Sequence, residues 1–563
     1  MKDRLKAAIR ETLLQSTGLK AVDLPAFTVE VPKEKGHGDF ATNVALVCAK
    51  KLKTAPRKLA ESLLGGLSAL DFIERVEIAG PGFINFFLAS GAVHSVLMDI
   101  LLQGADYGRG ASEDPEKIMV EFVSANPTGP LHFGHGRGAV VGDVLASLLE
   151  FSGRKVTREY YVNDAGGQVR ALALSVIARA REQRGLPAEL PEDGYRGDYV
   201  RDLAASLPGD LFGFLPGEAG EEQLLAVQEQ AVALMLEGIR KDLADFGVEI
   251  DQYASEVRLV NSGRVQETFE ELDKRGLLQD RDGARWFRSD KFKDEKPRVL
   301  VKSDGSHTYF ATDIGYHLDK LRRGFGRLIN IWGADHHGYV PRMKAALMAL
   351  GHPEDALEIV LVQMVSLVRG GQPVVLSKRG GEFVTLREVV EEVGRDAARF
   401  FFLLRGSDSQ MEFDLELAKK RSLDNPVFYV QYGHARLSSI LARAAERGIP
   451  VPQNADGVDL SLLKLEEELS LIKKMASFGD RVTRAADARA PHQIVFYLQE
   501  LVGDFHHYYT AYAKTSPILK GDPEQVAARL ILVLALRQVL RNALGLLGVS
   551  APDRMESLAE EEE

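Results

Sequence analysis

One stretch of the chain, residues 118–136, constrains the fold more than any other. The apolar run Ile118–Val123 has the length and composition of a buried strand, and the segment 124–135 that follows is rich in glycine and proline. From Gly136 onward, small and apolar residues recur with helical periodicity. A strand, a glycine-containing loop and a helix form the opening unit of a nucleotide-binding, doubly wound parallel sheet. The sequence therefore predicts a multidomain α/β protein with a Rossmann-like parallel-sheet domain.

The remaining segments predict further domains, because 563 residues exceed what one hydrophobic core supports. Strands are expected at Val76–Ala79 and Phe83–Leu88, and again at Val299–Val301, Leu328–Trp332 and Ile359–Leu367. The predicted division is an N-terminal α+β domain at 1–110, the Rossmann-like domain at 111–370 with a helical insertion at 171–272, a connecting segment at 371–417, and an all-helical domain at 418–563.

Composition narrows the class of protein. The net charge of −11 argues weakly against a nucleic-acid partner, but five of the acids crowd into the tail Glu556–Glu563, so the local distribution matters more than the total. The single Cys48 excludes an internal disulfide and thiol-based zinc sites, and favours a reducing, cytoplasmic location. The apolar stretch Arg529–Leu540 contains Arg537 and is shorter than the roughly 18 residues of a membrane span. We therefore expect no membrane association.

Two histidines, His132 and His135, flank Phe133 and Gly134 directly before the predicted helix. Glycine between them allows the backbone to approach a flat ring such as adenine closely. The start of a helix presents free N–H groups to phosphate, and imidazole N–H groups can donate to an α-phosphate as its charge grows during reaction. The alternative is a glycine/proline turn with two surface histidines. The strand before and the helix after favour the phosphate-binding interpretation.

A second element, Val374–Gly381, places Ser377, Lys378 and Arg379 before two glycines. A basic pair on such a loop could close over a triphosphate and neutralise the leaving pyrophosphate. Alone, the pattern is also typical of a solvated turn. Its position downstream of the histidines favours the functional interpretation.

The sequence around these elements resembles that of the bacterial arginyl-tRNA synthetases of class I. The segments that carry the resemblance are VEFVSANPTGPLHFGHGRG, YYVNDAGGQ, YFATDIGYH, IWGADHHGYVPRM and LSKRGGEFVTLREVV. GHGDFATN and PGFINF resemble that family's N-terminal tRNA-binding domain, and GVSAPDRM resembles the close of its helical anticodon-binding domain. The resemblance implies ATP-dependent activation of L-arginine to arginyl-adenylate and transfer to the 3′-terminal adenosine of tRNA(Arg). It also implies Mg²⁺ arriving with ATP, no protein-bound metal, and a monomer.

The family pattern assigns roles to individual residues. A guanidinium is planar and permanently charged, so its pocket needs carboxylates that accept paired hydrogen bonds. The implied catalytic residues are His132, His135 and Lys378; the ATP-binding residues are Gly134, Gly333, Asp335, His336, Ser377 and Lys378; the arginine-binding residues are Asn126, Glu159, Asn163, Tyr309 and Asp313. The alternative role of each polar residue is structural, either in a buried hydrogen bond or as a helix cap.

For tRNA, the helical segment carrying Tyr429, Gln431, Tyr432 and Arg436 alternates aromatic and polar groups. Aromatic rings can stack on unpaired bases while an arginine meets phosphate. Asn43 lies in the part that resembles the tRNA-binding N-terminal domain. A second aromatic cluster covers residues 506–512, and packing of the helical bundle is the alternative for both.

Two positions depart from the family pattern. Val375 stands where the class I loop usually has its first lysine, and His336 stands where related enzymes often have glutamine. Three other functions are alternatives. A cysteinyl or glutamyl enzyme is disfavoured by the absent cysteine ligands and the acidic pocket. A small nucleotidyltransferase would be much shorter, and a non-catalytic tRNA-binding relative would not need both histidines and Lys378.

Overall fold

The computed structural model describes residues 1–32, 34–112, 114–215, 217–374 and 383–555. Ser377, Lys378 and the acidic tail from Glu556 lie outside the described residues.

The N-terminal region packs helices on an antiparallel sheet of order β1-β2-β4-β3. Its elements are α1 (Lys2–Thr17), β1 (Val29–Glu30), β2 (Phe40–Thr42), α2 (Val44–Leu52), α3 (Pro56–Ser68), β3 (Ile73–Ala79) and β4 (Phe83–Leu88). Leu5, Ile9 and Leu13 recur one turn apart on α1 and are fully buried, which explains why this segment folds as a helix against the sheet. The predicted β3–β4 hairpin is confirmed.

Helix α4 (Ser90–Gln103) packs against the C-terminal helices. Its buried Leu97 and Ile100 belong to the core that those helices share with the parallel sheet. His94 Nε2 lies 3.0 Å from the carbonyl oxygen of Leu463, and the amide of Asn542 donates to the carbonyl of Gly104 at 2.8 Å. The N-terminal and C-terminal parts of the chain are thereby joined.

The predicted doubly wound sheet is confirmed. Five parallel strands lie in the order β12-β11-β5-β6-β7. They are β5 (Lys117–Glu121), β6 (Lys155–Val162), β7 (Gln252–Ser255), β11 (Arg327–Gly333) and β12 (Leu357–Val362). The strand order reverses between β5 and β11, and ligands of such sheets bind outside the carboxyl ends of the strands at this switch point. Strand β5 ends at Glu121, opposite Asn330 and Glu159, while its neighbours continue, so a notch opens there.

The insertion predicted at 171–272 is mainly helical, but it also supplies β7, the edge strand of the parallel sheet. The sequence pattern did not single out this strand. Only four residues long and half-buried, β7 lacks the apolar run that marks a central strand. The helices around it are α5 (Phe133–Phe151), α6 (Gly167–Gln183), α7 (Asp198–Ser206), α8 (Glu221–Asp245), α9 (Glu256–Asn261) and α10 (Arg264–Lys274).

Two other strand predictions need adjustment. The strand expected at 299–301 exists as β10 (Arg298–Val301), but it pairs antiparallel with β9 (Ala284–Phe287), which pairs with β8 (Leu278–Arg281). The single strand expected at 359–367 is split. Its second half, β13 (Val365–Arg369), joins a separate sheet with β14 (Gln372–Pro373) and β15 (Met411–Asp414). The break falls at Gln363, whose N–H donates to the carbonyl of Ser407 instead of to a strand.

The remaining elements are helical. They are α11 (Tyr309–Arg322), α12 (Val340–Ala349), α13 (Leu386–Val393), α14 (Arg395–Phe402), α15 (Leu415–Lys419), α16 (Pro426–Glu446), α17 (Glu466–Ala476), α18 (Phe478–Asp487), α19 (His492–Ala511) and α20 (Pro523–Leu546). The helical C-terminal region predicted from residue 418 is confirmed. Across the described ranges, no helix has the length and apolar character needed to span a membrane.

Candidate active site at the switch point of the sheet

A cavity of about 790 Å³ opens at the notch beyond β5. It is bordered by the loop after β5, the first turn of α5 and the end of β11. Its lining includes Ser124, Ala125, Asn126, His132, Gly134, His135, Trp332, Gly333, Asp335, His336, Gln363, Met364 and Phe383. Six of the residues predicted to bind ATP or to act in catalysis therefore meet in one place, together with Asn126.

The two histidines stack on each other at the start of α5. Their ring centroids are 3.6 Å apart with an angle of 27° between the planes. Helix α5 begins at Phe133, three residues earlier than predicted, so His132 is its N-cap residue and His135 lies in its first turn. A Cβ added to Gly134 would come within 2.9 Å of the His132 ring, so a larger residue there would displace the imidazole.

Burial governs the charge state of the pair. It lowers the pKa of His132, and it lowers the pKa of His135 to about 3, with the neighbouring His132 contributing. Both rings are therefore neutral near pH 7 and each carries one N–H donor. The Nδ1 atom of His135 is buried and has no hydrogen-bond partner among the described residues.

The segment that precedes α13 holds the histidine loop in place. The N–H of Phe133 donates to the carbonyl of Val384 at 2.9 Å, and the N–H of Leu386 donates to the carbonyl of Leu131 at 2.8 Å. The Phe383 ring meets His132 edge-on, with centroids 5.7 Å apart. The histidines are thus fixed by residues that directly follow the Ser377–Lys378 segment in sequence.

The backbone is strained where β5 ends. Val123 and Ser124 have φ values of 68° and 41°, a left-handed conformation that a β-branched residue adopts only at a cost of about 1–3 kcal/mol. The Ser124 hydroxyl donates to Glu121 at 3.0 Å and accepts from the N–H of Tyr161 at 3.1 Å. These bonds hold the turn at the mouth of the cavity.

A cluster of acids, two of them buried and one half-buried, lies beside the cavity. Ser124 connects the cavity to Glu121, and Trp332 connects it to Tyr339, whose hydroxyl donates to Asp313 at 2.5 Å. Burial raises the pKa of Asp313 to about 7 despite the Tyr339 bond, with the charges of Glu121 and Glu256 adding to the rise. Burial also raises the pKa of Glu256.

One cation accompanies these acids in the described cluster. Lys320, which is fully buried, is paired with Glu121. Three carboxylates of this cluster therefore lie near one ammonium group. Sequence reasoning missed Glu121 and Glu256. A glutamate that closes an apolar strand is a signal that could have pointed to Glu121.

Tyr309 and Asp313 are separated by one turn of α11, and Tyr309 is exposed at 71%. Glu159 is placed differently. Its fully buried carboxylate pairs with Arg323 at 2.6 Å and accepts from Tyr316 at 2.6 Å. Its carboxylate therefore already has two protein partners, and an arginine-binding role for Glu159 stays a prediction from the sequence. Asn163 directly follows β6 and does not line the cavity.

The end of β11 leads into a short 3₁₀ turn at Ala334–Tyr339. Asp335 and His336 are exposed at the cavity rim, with His336 Nε2 at 3.5 Å from the Asp335 carboxylate. A Cβ on Gly333 would come within 2.4 Å of that carboxylate. The glycine therefore lets Asp335 fold back over the strand end.

On α16, Tyr429, Tyr432 and Arg436 share one face, together with His506 and Tyr509 of α19. The Arg436 guanidinium lies 4.9 Å from the Tyr432 ring centroid and 5.0 Å from that of Tyr509. His506 meets the Tyr429 ring edge-on at 5.1 Å. We call these five residues the aromatic face.

Two predicted tRNA contacts lie elsewhere. The Gln431 amide donates to Asp396 at 2.9 Å and to the carbonyl of Ser550 at 3.0 Å, so it ties α16 to α14 and to the end of the chain. The Asn43 side-chain oxygen accepts from the N–H of Thr28 at 2.8 Å. Both amides already have protein partners.

Comparisons with known proteins agree along the whole chain. Three family models match: "Arginyl tRNA synthetase N terminal domain" at residues 1–88, "tRNA synthetases class I (R), catalytic domain" at 96–199 and 214–407, and "DALR anticodon binding domain" at 430–555. These matches exclude the cysteinyl, glutamyl and small nucleotidyltransferase alternatives.

Full-length relatives are similar in both sequence and fold. An arginine–tRNA ligase of Geobacter sp. (strain M21) is 49% identical over 99% of this chain and 100% of its own. An arginine–tRNA ligase of Citrifermentans bemidjiense is 48% identical over the same shares. The Thermus thermophilus arginyl-tRNA synthetase has the same fold, with a TM-score of 0.75 at 23% identity over 99% of this chain and 100% of that one. The chain belongs to the arginyl-tRNA synthetase family.

Proposed function

We propose that this arginine–tRNA ligase activates arginine in the switch-point cavity, with His132 and His135 stabilising the transition state. An arginine carboxylate oxygen attacks the α-phosphate of ATP, and the bond to pyrophosphate breaks. A ribose hydroxyl of the terminal adenosine of tRNA(Arg) then attacks the adenylate carbonyl and releases AMP. The observation that carries the assignment is the stacked histidine pair at the start of α5, facing the cavity.

The charge state of the pair fits this role. Two neutral imidazoles donate N–H groups to the phosphate without a fixed positive charge that would hold the product. Helix α5 has no side-chain cap, and the positive end of its dipole lies at the site. Mg²⁺ accompanies the ATP phosphates in this scheme.

For ATP, we assign Gly134 and Gly333 as the positions where the backbone comes close to the nucleotide. Asp335 and His336 contact the adenosine at the exposed rim of the cavity. Ser377 and Lys378 are assigned from sequence to the leaving pyrophosphate.

For the amino acid, we assign the guanidinium to the acidic cluster, between Asp313 and Glu256, with Tyr309 at its mouth. A cation there relieves the repulsion among buried carboxylates, whereas a neutral analogue leaves them unpaired at about 1–3 kcal/mol each. Asn126 contacts the α-amino end, and Asn163 is a further candidate. Glu121 shapes the pocket through Ser124 and Lys320.

For tRNA, we assign the aromatic face to the anticodon bases, with Tyr429 and Tyr432 stacking and Arg436 meeting phosphate. Gln431 and Asn43 act through the contacts that hold their helices. We further propose that the enzyme works as a cytoplasmic monomer.

The experiment that tests the function is arginine-dependent exchange of labelled pyrophosphate into ATP, with and without tRNA(Arg). Exchange in either condition supports the assigned chemistry, and exchange only with tRNA shows that the anticodon and catalytic parts are coupled. A folded protein without exchange in both conditions, while tRNA still binds, would instead support a non-catalytic tRNA-binding relative.

A further inference from the structure

Arg137 is a fully buried cation on α5, two residues beyond His135. Its guanidinium donates to the carbonyl oxygens of Gly406 at 2.7 Å, Ser409 at 2.8 Å and Gln363 at 2.9 Å. Burial lowers the pKa of Arg137 to about 10, so the side chain stays charged near pH 7. A buried charge is costly unless its donors are satisfied, so the three carbonyls and the guanidinium hold one another in place.

The three carbonyls lie on two segments of the chain. One segment is the break between β12 and β13, at Gln363, and the other is the turn at residues 406–409. The N–H of Gln363 donates to the carbonyl of Ser407, in that turn, at 2.8 Å. Both backbone polar groups of Gln363 are therefore held, the N–H by Ser407 and the carbonyl by Arg137.

The segment that Arg137 holds forms one wall of the active-site cavity, because residues 362–365 all line it. Val362 is paired in register with Gly333, so the segment begins beside the strand end to which the adenosine is assigned. Met364 follows, is 79% exposed, and offers apolar surface to a purine ring.

We propose that Arg137 is a positioning residue for ATP, which fixes the backbone of Gln363 and Met364 where the adenosine binds. It does not touch the nucleotide, because its side chain is fully buried. Since it also lies on α5, it ties this wall to the helix that carries the histidine pair. A shift of about 1 Å in a positioning segment can cost about 10²-fold in rate. The inference rests on the proposed binding of ATP in this cavity.

The test measures pyrophosphate exchange with saturating tRNA(Arg), against the concentration of ATP and then of arginine. Arg137→Lys keeps the charge, but a compact ammonium cannot reach three carbonyls as a planar guanidinium does. The KM for ATP should rise about tenfold, the scale of one or two lost hydrogen bonds to a charged group. The KM for arginine should stay within about twofold of the parent value, whereas general damage to the fold would affect both substrates.

Adenosine and tripolyphosphate, the two parts of ATP, locate the effect when each is used as an inhibitor of exchange. In Arg137→Lys, the inhibition constant of adenosine should rise by the same factor as the KM for ATP. That of tripolyphosphate should not change. Weaker binding of tripolyphosphate with unchanged binding of adenosine would show that Arg137 acts through its charge on the phosphates, and would refute the inference.

A double-mutant cycle tests the route from Arg137 to the nucleotide. Met364→Ala should weaken adenosine binding by itself, because it removes apolar surface from the same wall. If Arg137 acts through this wall, the double variant should lose less affinity than the two single effects combined. Additive effects would overturn the inference, because they would show that the two residues act independently.

Gly406→Val tests the same contacts with Arg137 intact, and decides the question if Arg137→Lys does not fold. A Cβ at Gly406 would come within 2.7 Å of the Asp408 carboxylate and 3.3 Å of the His492 ring, so a valine must displace the turn. The KM for ATP should rise, by a smaller factor than in Arg137→Lys. An unchanged KM for ATP in Gly406→Val would count against the inference.

Arg529→Met is the control for lost stability. It removes an equally buried arginine, 1% exposed and paired with Glu468 at 3.3 Å, from the helical region. The melting temperature should fall while the KM for ATP stays at the parent value. If Arg137→Lys behaves in the same way, the inference is refuted, while the loss of exchange in His135→Ala would leave the proposed function standing. A parent protein without exchange would refute both.

Discussion

The Arg399 guanidinium donates to the carboxylate of Asp143 at 2.5 Å, and the arginine is fully buried. The same guanidinium donates to the carbonyls of Leu547 at 2.8 Å and Gly247 at 2.9 Å. One side chain on α14 therefore joins the end of the helical region to α5, the helix that begins at the paired histidines.

Replacing Arg399 should strongly destabilise the protein. Arg399→Met leaves a buried carboxylate with only the longer contact to Arg158, at 3.5 Å, and leaves carbonyls unpaired. We expect a loss of about 3–5 kcal/mol in the free energy of unfolding, measured by urea titration. Arg395→Met, exposed on the same helix, should change it by less than about 0.5 kcal/mol. Equal effects of the two changes would show that the buried contacts add nothing.

His135→Ala should slow pyrophosphate exchange by about 10²–10³-fold, the usual effect of losing one donor to a developing charge. The melting temperature should change little, since the Nδ1 atom of His135 has no protein partner in the described chain. His337→Ala, exposed and outside the cavity lining, is the matched control. A loss below about threefold for His135→Ala would remove the histidine from the mechanism.

Arginine affinity should depend on pH through Asp313. Its pKa of about 7 in the free protein means that the carboxylate must lose a proton before it holds the guanidinium. Affinity should therefore rise as the pH increases to about 7 and level off above it. Calorimetric titration from pH 5.5 to 8.5 measures this, and Asp313→Asn should bind weakly with a flat profile. An unchanged profile in the variant would assign the titration to another group.

The charged carboxylate of Asp313 should lower the stability of the folded protein, although arginine binding needs that charge. An aspartate titrates near pH ~4 when unfolded, so between about pH 4 and 7 the folded state holds the extra proton, and stability falls as the pH rises. Asp313→Asn should consequently melt at a higher temperature than the parent at pH 8, with a smaller difference at pH 5. A lower melting temperature at pH 8 would show that the bond from Tyr339 outweighs the burial of charge.

Lys378→Ala should slow formation of the adenylate, because it removes the cation assigned to the leaving pyrophosphate. Pre-steady-state measurement of adenylate with saturating tRNA separates this step from product release. Arg379→Ala, the neighbouring charge, gives the comparison. Normal chemistry in Lys378→Ala would leave the segment with a structural role only.

The sequence predicted the sheet and its ligand-binding loop because both are local patterns. An apolar run, a glycine loop and the start of a helix lie within residues 118–136. The two histidines in that loop could therefore be recognised without knowing which distant residues pack against them. Glu121 and Glu256 were not singled out, and the pairing of Glu159 with Arg323 was not foreseen, because both depend on which charges come together across strands. The neutralisation of Glu159 by Arg323 joins residues 164 positions apart. No local spacing carries that information.

Strand β7 and the break between β12 and β13 were missed for a related reason. The edge strand is polar and short, so only its pairing with β6 makes it a strand. The break at Gln363 is enforced by Ser407 and by Arg137, which donates to the Gln363 carbonyl at 2.9 Å. The largely apolar sequence on both sides of Gln363 concealed a change of sheet.

The packing of α4 on the C-terminal helices limits how the molecule can be dissected. Because His94 and Asn542 join the two ends of the chain, and α20 shares its apolar core with the sheet, the helical region is not a detachable module. A truncated protein that ends before α16 would expose a large apolar surface and should aggregate. The intact chain should unfold cooperatively because it has this shared core. Evolution could therefore exchange the anticodon-binding region only together with α4, the helix that packs against it.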